Sequence, residues 1–486
     1  MALLDESAWR GKVFLGGWTA GGGGEAAVIE PATGEEIGRS GRADAEDVAA
    51  AARLAATAQP AWAATPHTAR AAILRKAADL WTAHAAEIEQ WVIRETGKIP
   101  PAAQFETHVA TGEIYEAATL PTRPYGELIP SEQPRLSWAE RRPVGVVGVI
   151  APFNFPQILA IRSVAPALAL GNAVILKPDP RTAVAGGVVL ARVFEEAGLP
   201  EGLLHVLPGG ADTGEALITD PLVRVISFTG STAAGRRVGE LAGKHLKRVH
   251  LELGGNSALV VLEDADLAKA ASAGAWGSFL HQGQICMTTG RHLVQDSVYD
   301  DYVAALAEKA SHLPVGNPAT EQVALGPIID VRQRDKVHAL VTDSVAAGAK
   351  LNAGGTYEGL FYKPTVLSEV TQRTPAYANE VFGPVAPVIR FSTADEAAAL
   401  AADSDYGLSL GILTRDVMRG LELSRRIPTG IVHINEQTVG DEAVIPFGGV
   451  RGSGTGARFG GGAANVDAFT DTRWVTVRGD IAPYPF

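Results

Sequence analysis

The chain predicts an α/β protein with two parallel-sheet units and a small β arm, on three observations. Short β-branched runs alternate with helix-patterned stretches in two series, over 144–253 and again from 258 to 434. Such alternation marks βαβ units whose sheet is covered on both faces. At 486 residues the chain exceeds what one small core organises, so two or three domains are expected. Over 120–142 the texture shifts to prolines, glycines and scattered charges, an excursion from the main body that is either a solvated loop or a surface for another subunit.

Taken in order, 43–97 is alanine-rich with helical spacing. Asp44 or Asp47 opens a first helix, and Thr65-Pro66 caps and starts a second. On the second, Ile73, Leu74, Ala77, Leu80, Trp81 and Ile88 form one apolar stripe, and Gly97 stops it. Another helix is expected over 102–118. The first series places strands at 144–150, 173–176, 203–207, 223–228 and 249–253, with helices at 157–170, 182–197, 212–219 and 231–242. The second places strands at 258–262, 292–295, 385–391, 409–413 and 431–434, with helices at 265–280, 299–312 and 332–347. The boundary between them falls near 253–256, and a last strand at 474–477 stands apart after a glycine-rich stretch.

Composition narrows the function classes. Hydrophobic content of 46% with 20% charged residues describes an ordinary globular chain. A net charge of −12 argues against nucleic acid or an anionic membrane as partner. A single cysteine and an N-terminus without a basic, then apolar, leader fit a cytoplasmic location. The run 143–161 carries no charge, yet Pro152 and Pro156 bracket Asn154, which breaks any spanning helix. A buried strand, a turn and a helix start are expected there. No His-Glu-x-x-His, phosphate-binding loop or nucleophile elbow occurs, and no metal site is expected.

Several residues carry candidate chemistry. Cys286 sits on a polar, glycine-containing turn, between Gln284 and Thr288, and its type alone leaves a nucleophile and a packing side chain equally open. Asn154 offers a donor that cannot ionise, suited to an oxyanion or to its own turn. Lys177 ends a buried strand, where a ribose or phosphate contact competes with simple solvation. The turn 228–235 would let a pyrophosphate approach a helix N-terminus, although its glycines, Gly230 and Gly235, do not follow the dinucleotide fingerprint. Glu252 at a strand end is a candidate general base, and Glu380 a candidate partner for ribose hydroxyls.

Together, Pro152-Phe-Asn-Phe-Pro156, Lys177-Pro, Phe228-Thr-Gly-Ser231, Leu251-Glu-Leu-Gly-Gly255, Gly283-Gln-Ile-Cys286, Glu380-Val-Phe-Gly-Pro384 and Pro446-Phe-Gly-Gly449 resemble the NAD(P)-dependent aldehyde dehydrogenase superfamily. The resemblance implies two Rossmann-like domains: a cofactor domain (1–120 and 143–253) and a catalytic domain (254–466). An oligomerisation arm (121–142 and 467–486) would then support a homodimer or homotetramer. It implies Cys286 as nucleophile, Glu252 as general base and Asn154 as oxyanion donor beside the Cys286 N–H. It implies a cleft for NAD or NADP at Ile150, Pro152, Phe153, Lys177, Gly209, Phe228, Gly230, Ser231, Gly235, Leu253, Gln333, Lys336, Glu380 and Phe382.

Within that family the motifs look most like aromatic aldehyde dehydrogenases of the benzaldehyde, vanillin and salicylaldehyde type, with Ile285 and Met287 flanking the thiol as apolar substrate surface. Two positions depart from the common pattern. Phe153 replaces a frequent tryptophan. Pro180 stands where NAD-preferring relatives commonly carry a glutamate that repels a 2′-phosphate, and with Arg181 adjacent NADP is expected to be tolerated. The alternatives are a CoA-acylating enzyme, which the presence of Glu252 disfavours, and a non-catalytic relative, which predicts damage at Cys286, Glu252 or Asn154.

Overall fold

The uncharged run 143–161 folds as its prolines demand. In the computed structural model, which describes residues 2–486, Val146–Ile150 (β1) is buried throughout. Pro100–Ala117 (α1) packs across Pro156–Ala169 (α2), every residue of which is buried. Pro156 opens α2, where its missing N–H costs nothing. Among the described residues no helix is long and apolar enough to cross a membrane.

Ala173–Lys177 (β2), Leu204–Val206 (β3), Val223–Thr229 (β4) and Arg248–Glu252 (β5) join β1 in a parallel sheet of order β5-β4-β1-β2-β3. Lys12–Phe14 and Trp18–Ala20 add an antiparallel edge beside β3. The chain winds outward from β1 to β3 and then returns to the far side of β1 for β4. The loops leaving β1 and β4 therefore diverge, and a crevice opens between them.

The second sheet is built alike. Ser257–Val261 (β6), Thr289–Gln295 (β7), Thr365–Ser368 (β8), Val385–Phe391 (β9), Ser409–Leu413 (β10) and Ile431–Ile434 (β11) run parallel in the order β8-β9-β7-β6-β10-β11. Lys350–Ala353 is antiparallel outside β8. Ala258 and Val260 pack with Leu293 and Leu410, whereas Leu259 and Val261 pack with Val294 and Val388 on the other face. This period of two is why the strands read as unbroken apolar runs.

Only Leu253 to Asn256 separate β5 from β6, so the C-terminal edge of the first sheet abuts the N-terminal edge of the second. Gly255 makes the approach possible: a Cβ there would stand 2.3 Å from the Cys286 carbonyl oxygen. The segment after β11 returns to the first core, where Phe459, Ala468 and Phe469 pack with Trp62, Ile161 and Val174.

Gly126–Leu128, Leu136–Pro143 and Thr470–Val477 form a separate antiparallel sheet with Leu136–Pro143 in the middle. Its last strand begins earlier than the expected 474, because Thr470 to Arg473 pair with Pro143 to Glu140. Other boundaries also differ from the expected ones. The single helix expected before Gly97 is two, His67–Ala83 and Ala85–Thr96, broken at His84 (φ −107°, ψ 14°). The stripe hides the break because Leu74, Trp81 and Ile88 still face one core. Asp44 and Asp47 cap the first helix jointly, while the Thr65 hydroxyl turns back to Ala61 and caps nothing. The helix expected over 182–197 opens as a π-turn, Val184–Val188, whose first N–H groups donate to the buried Glu95 carboxylate.

Candidate active site

The crevice between β1 and β4 opens into a cavity of about 540 Å³. Ile150, Pro152 and Phe153 line it from the loop after β1, and Lys177 and Asp179 from the end of β2. Phe228, Gly230 and Ser231 line it just before Thr232–Lys244 (α3), and Leu253 closes that side. The facing wall carries Gln333, Lys336, Glu380 and Phe382. Ser231 caps α3, its Oγ accepting the Ala234 N–H at 3.3 Å, so a helix N-terminus with spare N–H groups faces the cavity. Lys177 is buried, with only a long 3.5 Å contact to the Pro178 carbonyl; burial lowers its pKa against the pull of Asp179 and Asp212. Glu380 accepts the Gly255 N–H at 3.0 Å, and burial pushes its pKa up to about 7, opposed by that bond and by Lys336. The Gln333 amide donates to the Phe382 carbonyl at 2.8 Å. A cationic strand end and a helix N-terminus on one wall, with a carboxylate opposite, fit a dinucleotide's phosphates and ribose hydroxyls.

Two expected cleft residues do not line this cavity. A Cβ at Gly235 would stand 2.2 Å from Leu253 Cδ2, so the glycine acts by seating Leu253. Gly209 lies behind the lining residue Gly210, against Thr213 Oγ1. Pro180 is not at the wall either. Asp179 places a carboxylate there, one residue earlier than the motif expects. Arg181 is already committed, with Nε and Nη2 to Asp179 at 2.9 and 2.8 Å, Nη1 to Asp330 at 2.6 Å, and its guanidinium over the Phe153 ring.

Cys286 stands on the loop between Leu267–Phe279 (α4) and β7. Three successive residues upstream, His281, Gln282 and Gly283, have φ of 49°, 57° and 66°. The two that are not glycine cost roughly 1–3 kcal/mol each in that region. The Gln282 amide offsets part of this, donating to the Gly97 and Pro327 carbonyls at 3.0 and 2.7 Å. Asn154 Nδ2 donates one hydrogen to the Gln284 carbonyl at 2.9 Å and keeps its second for a ligand. Beneath it, Lys98 Nζ donates to the Asn154 carbonyl at 2.6 Å, is paired with the buried Glu106, and lies 3.7 Å over the Phe155 ring. Nothing in the sequence pattern marked Lys98.

Burial, with the Glu380 and Glu252 carboxylates nearby, pushes the Cys286 thiol up to about 12. That setting favours the protonated thiol over the thiolate. Glu252 is buried too, with no well-formed hydrogen bond on either oxygen, and it lines neither this cavity nor the smaller one beyond the thiol. Burial raises its pKa well above the ordinary carboxylate range, against Arg458 and Arg162.

On the other side of Cys286 lies a second cavity of about 170 Å³, which shares Asn154, Leu159 and the thiol with the first. Ile285 and Met287, which flank the thiol, line it. Most of its wall was not anticipated: Phe105 of α1, Phe155 and Ile158 at the start of α2, Trp276 of α4, and Val439, Asp441 and Phe447 after β11. On a helix Phe105, Ile158 and Trp276 read as ordinary apolar stripe, while Phe155 and Phe447 lie within quoted motifs that do not mark them as cavity wall.

The model of the aldehyde dehydrogenase family matches residues 18–475. A vanillin dehydrogenase of an Amycolatopsis species is 70% identical over the full length of both chains. A benzaldehyde dehydrogenase [NAD(+)] of Pseudomonas putida is 49% identical over 99% of each. The crystal structure of a salicylaldehyde dehydrogenase from Pseudomonas putida G7, complexed with salicylaldehyde, superposes with a TM-score of 0.94 at 36% identity, covering 98% of this chain and 99% of the other. Two abutting parallel sheets, a crevice at the ends of β1 and β4 and a cysteine where two cavities meet are thus the features of a protein that belongs to the aldehyde dehydrogenase family.

Proposed function

We propose that this chain oxidises aromatic aldehydes to carboxylic acids, with NAD or NADP as hydride acceptor and Cys286 as nucleophile. The observation that carries the reading is the position of Cys286 between a polar crevice sized for a dinucleotide and a narrow apolar cavity sized for a ring. The relatives named vanillin and benzaldehyde dehydrogenase support the aromatic class. The crevice of the first unit would hold the cofactor, the α3 N-terminus serving its pyrophosphate and Lys177 and Glu380 its ribose hydroxyls. The second supplies the nucleophile.

The chemistry follows from these groups. The Cys286 proton leaves to Glu252 in its ionised form, a minor form at neutrality but a strong base because burial raises its pKa. Sγ then bonds to the aldehyde carbon, and the new oxyanion takes the second Asn154 Nδ2 hydrogen and the Cys286 N–H. Collapse of that oxyanion expels hydride from the carbon, for which a nicotinamide held in the crevice would supply the acceptor. After passing that first proton on to solvent, the Glu252 carboxylate turns toward the thioester and draws a proton from water, whose oxygen bonds to the acyl carbon as the C–S bond breaks and Sγ leaves as thiolate.

The three-stranded sheet exposes Leu128, Leu136, Trp474 and Val477, an apolar surface unusual on a lone subunit and suited to a dimer or tetramer. A cytoplasmic location accords with the lone reduced cysteine. The test is an absorbance assay of cofactor reduction over benzaldehydes and short aliphatic aldehydes, with each cofactor, quantifying acid with and without CoA. Aromatic aldehydes are expected to lead, with acid formed in the absence of CoA. Equal turnover of aliphatic aldehydes, or product only when CoA is present, overturns the reading.

A further inference from the structure

The short turn of Gly97, Lys98 and Ile99, between the helix Ala85–Thr96 and α1, touches both halves of the reaction centre. Lys98 is completely buried, and each hydrogen of its ammonium group has a recipient. One goes to the equally buried Glu106 carboxylate and one to the Asn154 carbonyl at 2.6 Å. The last meets the face of the Phe155 ring, with Nζ 3.7 Å from its centre. Glu106, on α1, uses its other oxygen to accept the Gln157 N–H at 2.8 Å. The loop that carries Asn154 is thus gripped at two points, Asn154 and Gln157. From the same turn the Gly97 carbonyl accepts the Gln282 amide at 3.0 Å, on the loop that carries Cys286. Gly97 suits that place: its φ is 70°, and a Cβ there would stand 2.7 Å from the Pro327 ring.

A fully buried ion pair is a weak source of stability, since apolar residues of the same volume often serve a fold as well. This pair also holds one particular peptide. We propose that Lys98 is a positioning residue for the oxyanion donor: by fixing the Asn154 carbonyl from a turn that also holds the Cys286 loop, it keeps the free Nδ2 hydrogen aimed at the oxygen that gains charge when Sγ attacks. This rests on the reading of Cys286 as nucleophile and Asn154 as oxyanion donor. Such a donor stabilises most when it need not move as the charge appears. Asn154 is held at both ends, its carbonyl by Lys98 and one amide hydrogen by the Gln284 carbonyl at 2.9 Å. Lys98 itself lines neither cavity and acts only through Asn154.

The experiment is a double-mutant cycle. Lys98→Met is made together with Glu106→Gln, so that no buried charge is stranded and the Gln157 N–H keeps an acceptor. These changes are placed in the wild type and in Asn154→Ala, and kcat/KM for benzaldehyde is counted per cofactor-binding site from fluorescence titration. In the wild-type background a fall of about 10- to 100-fold is expected, part of the roughly 10²–10³ that one oxyanion donor supplies. In the Asn154→Ala background the fall is expected to be less than about twofold, because the donor to be positioned is gone. Alkylation of Cys286 by iodoacetamide, in which Sγ displaces iodide and no oxyanion forms, is expected to stay within about twofold of its wild-type rate. An equal fall in both backgrounds overturns the proposal and leaves Lys98 a residue of the fold alone. So does an unchanged kcat/KM in the wild-type background, or an alkylation rate that drops with turnover. Where Lys98→Met yields no cofactor-binding sites, Lys98→Gln runs the same cycle with the same deciding outcomes. If the wild type oxidises no benzaldehyde, or Cys286→Ala keeps its rate, the functional reading itself falls and takes this proposal with it.

Discussion

The two cavities that meet at Cys286 are made in different ways. The larger is made by topology: strand ends, a helix N-terminus and the reversal of winding between β1 and β4. Its opening comes from the winding, and side chains such as Lys177, Gln333, Lys336 and Glu380 then furnish its polar wall. The smaller is walled by residues of α1, α2, α4, the cysteine loop and the segment after β11. One is therefore general to a fold and the other specific to a sequence. The cysteine belongs to both, and removing it tests whether they form a single site. Cys286→Ala is expected to lower kcat by about 10⁴-fold or more in the absorbance assay, with cofactor still bound by fluorescence titration. Retained turnover would mean that the junction of the cavities is not where bonds are made.

The same division decides what was legible in the sequence. Asn154, Lys177, Ser231, Glu252 and Glu380 lie at strand ends or turns flanked by glycine and proline, where a polar residue stands out from its surroundings. Strand–helix alternation was legible for the same reason, because each buried strand is an uninterrupted apolar run. Phe105, Ile158 and Trp276 lie on helices, where being apolar is no signal. Asp441 was hidden differently: its partners Arg162 and Glu113 are remote in the chain, and only the fold brings them together. Glu252 shows a third limit, since residue type named a candidate base but not that its carboxylate would lie behind the wall. The hairpin of Glu25–Ile29 and Glu36–Gly41 went unread because its buried positions in the second strand are glycine and serine, which lack the apolar alternation of a core strand.

The burial that defines the junction also sets its protonation. Both Cys286 and Glu252 have pKa values raised by burial, and both act after losing a proton. A raised pKa leaves the protonated form dominant at neutrality, so the reactive fraction grows as pH rises. For benzaldehyde, which has no ionisable ring group, kcat/KM is expected to climb from pH 7 to 9, by up to about tenfold per unit where one deprotonation limits the rate. A profile flat across that range would show that the thiol is already ionised in the working enzyme and that burial does not govern it.

The smallest effect expected is at the outer end of the apolar cavity, where the contrast between the two sides is finest. Phe105 is 45% exposed and Trp276 is 53% exposed, so both are rim residues and not sealed walls. Truncating a half-exposed ring removes only part of the roughly 1.5–3 kcal/mol that full burial of such a side chain is worth. Phe105→Ala is therefore expected to raise KM for benzaldehyde by about threefold, read from initial rates at saturating cofactor. The KM for NAD should move less, because no atom of Phe105 lines the polar crevice. A variant that shifted both constants together would mean that the two cavities are coupled through α1 and Asn154, whose carbonyl Lys98 holds from the turn just before that helix.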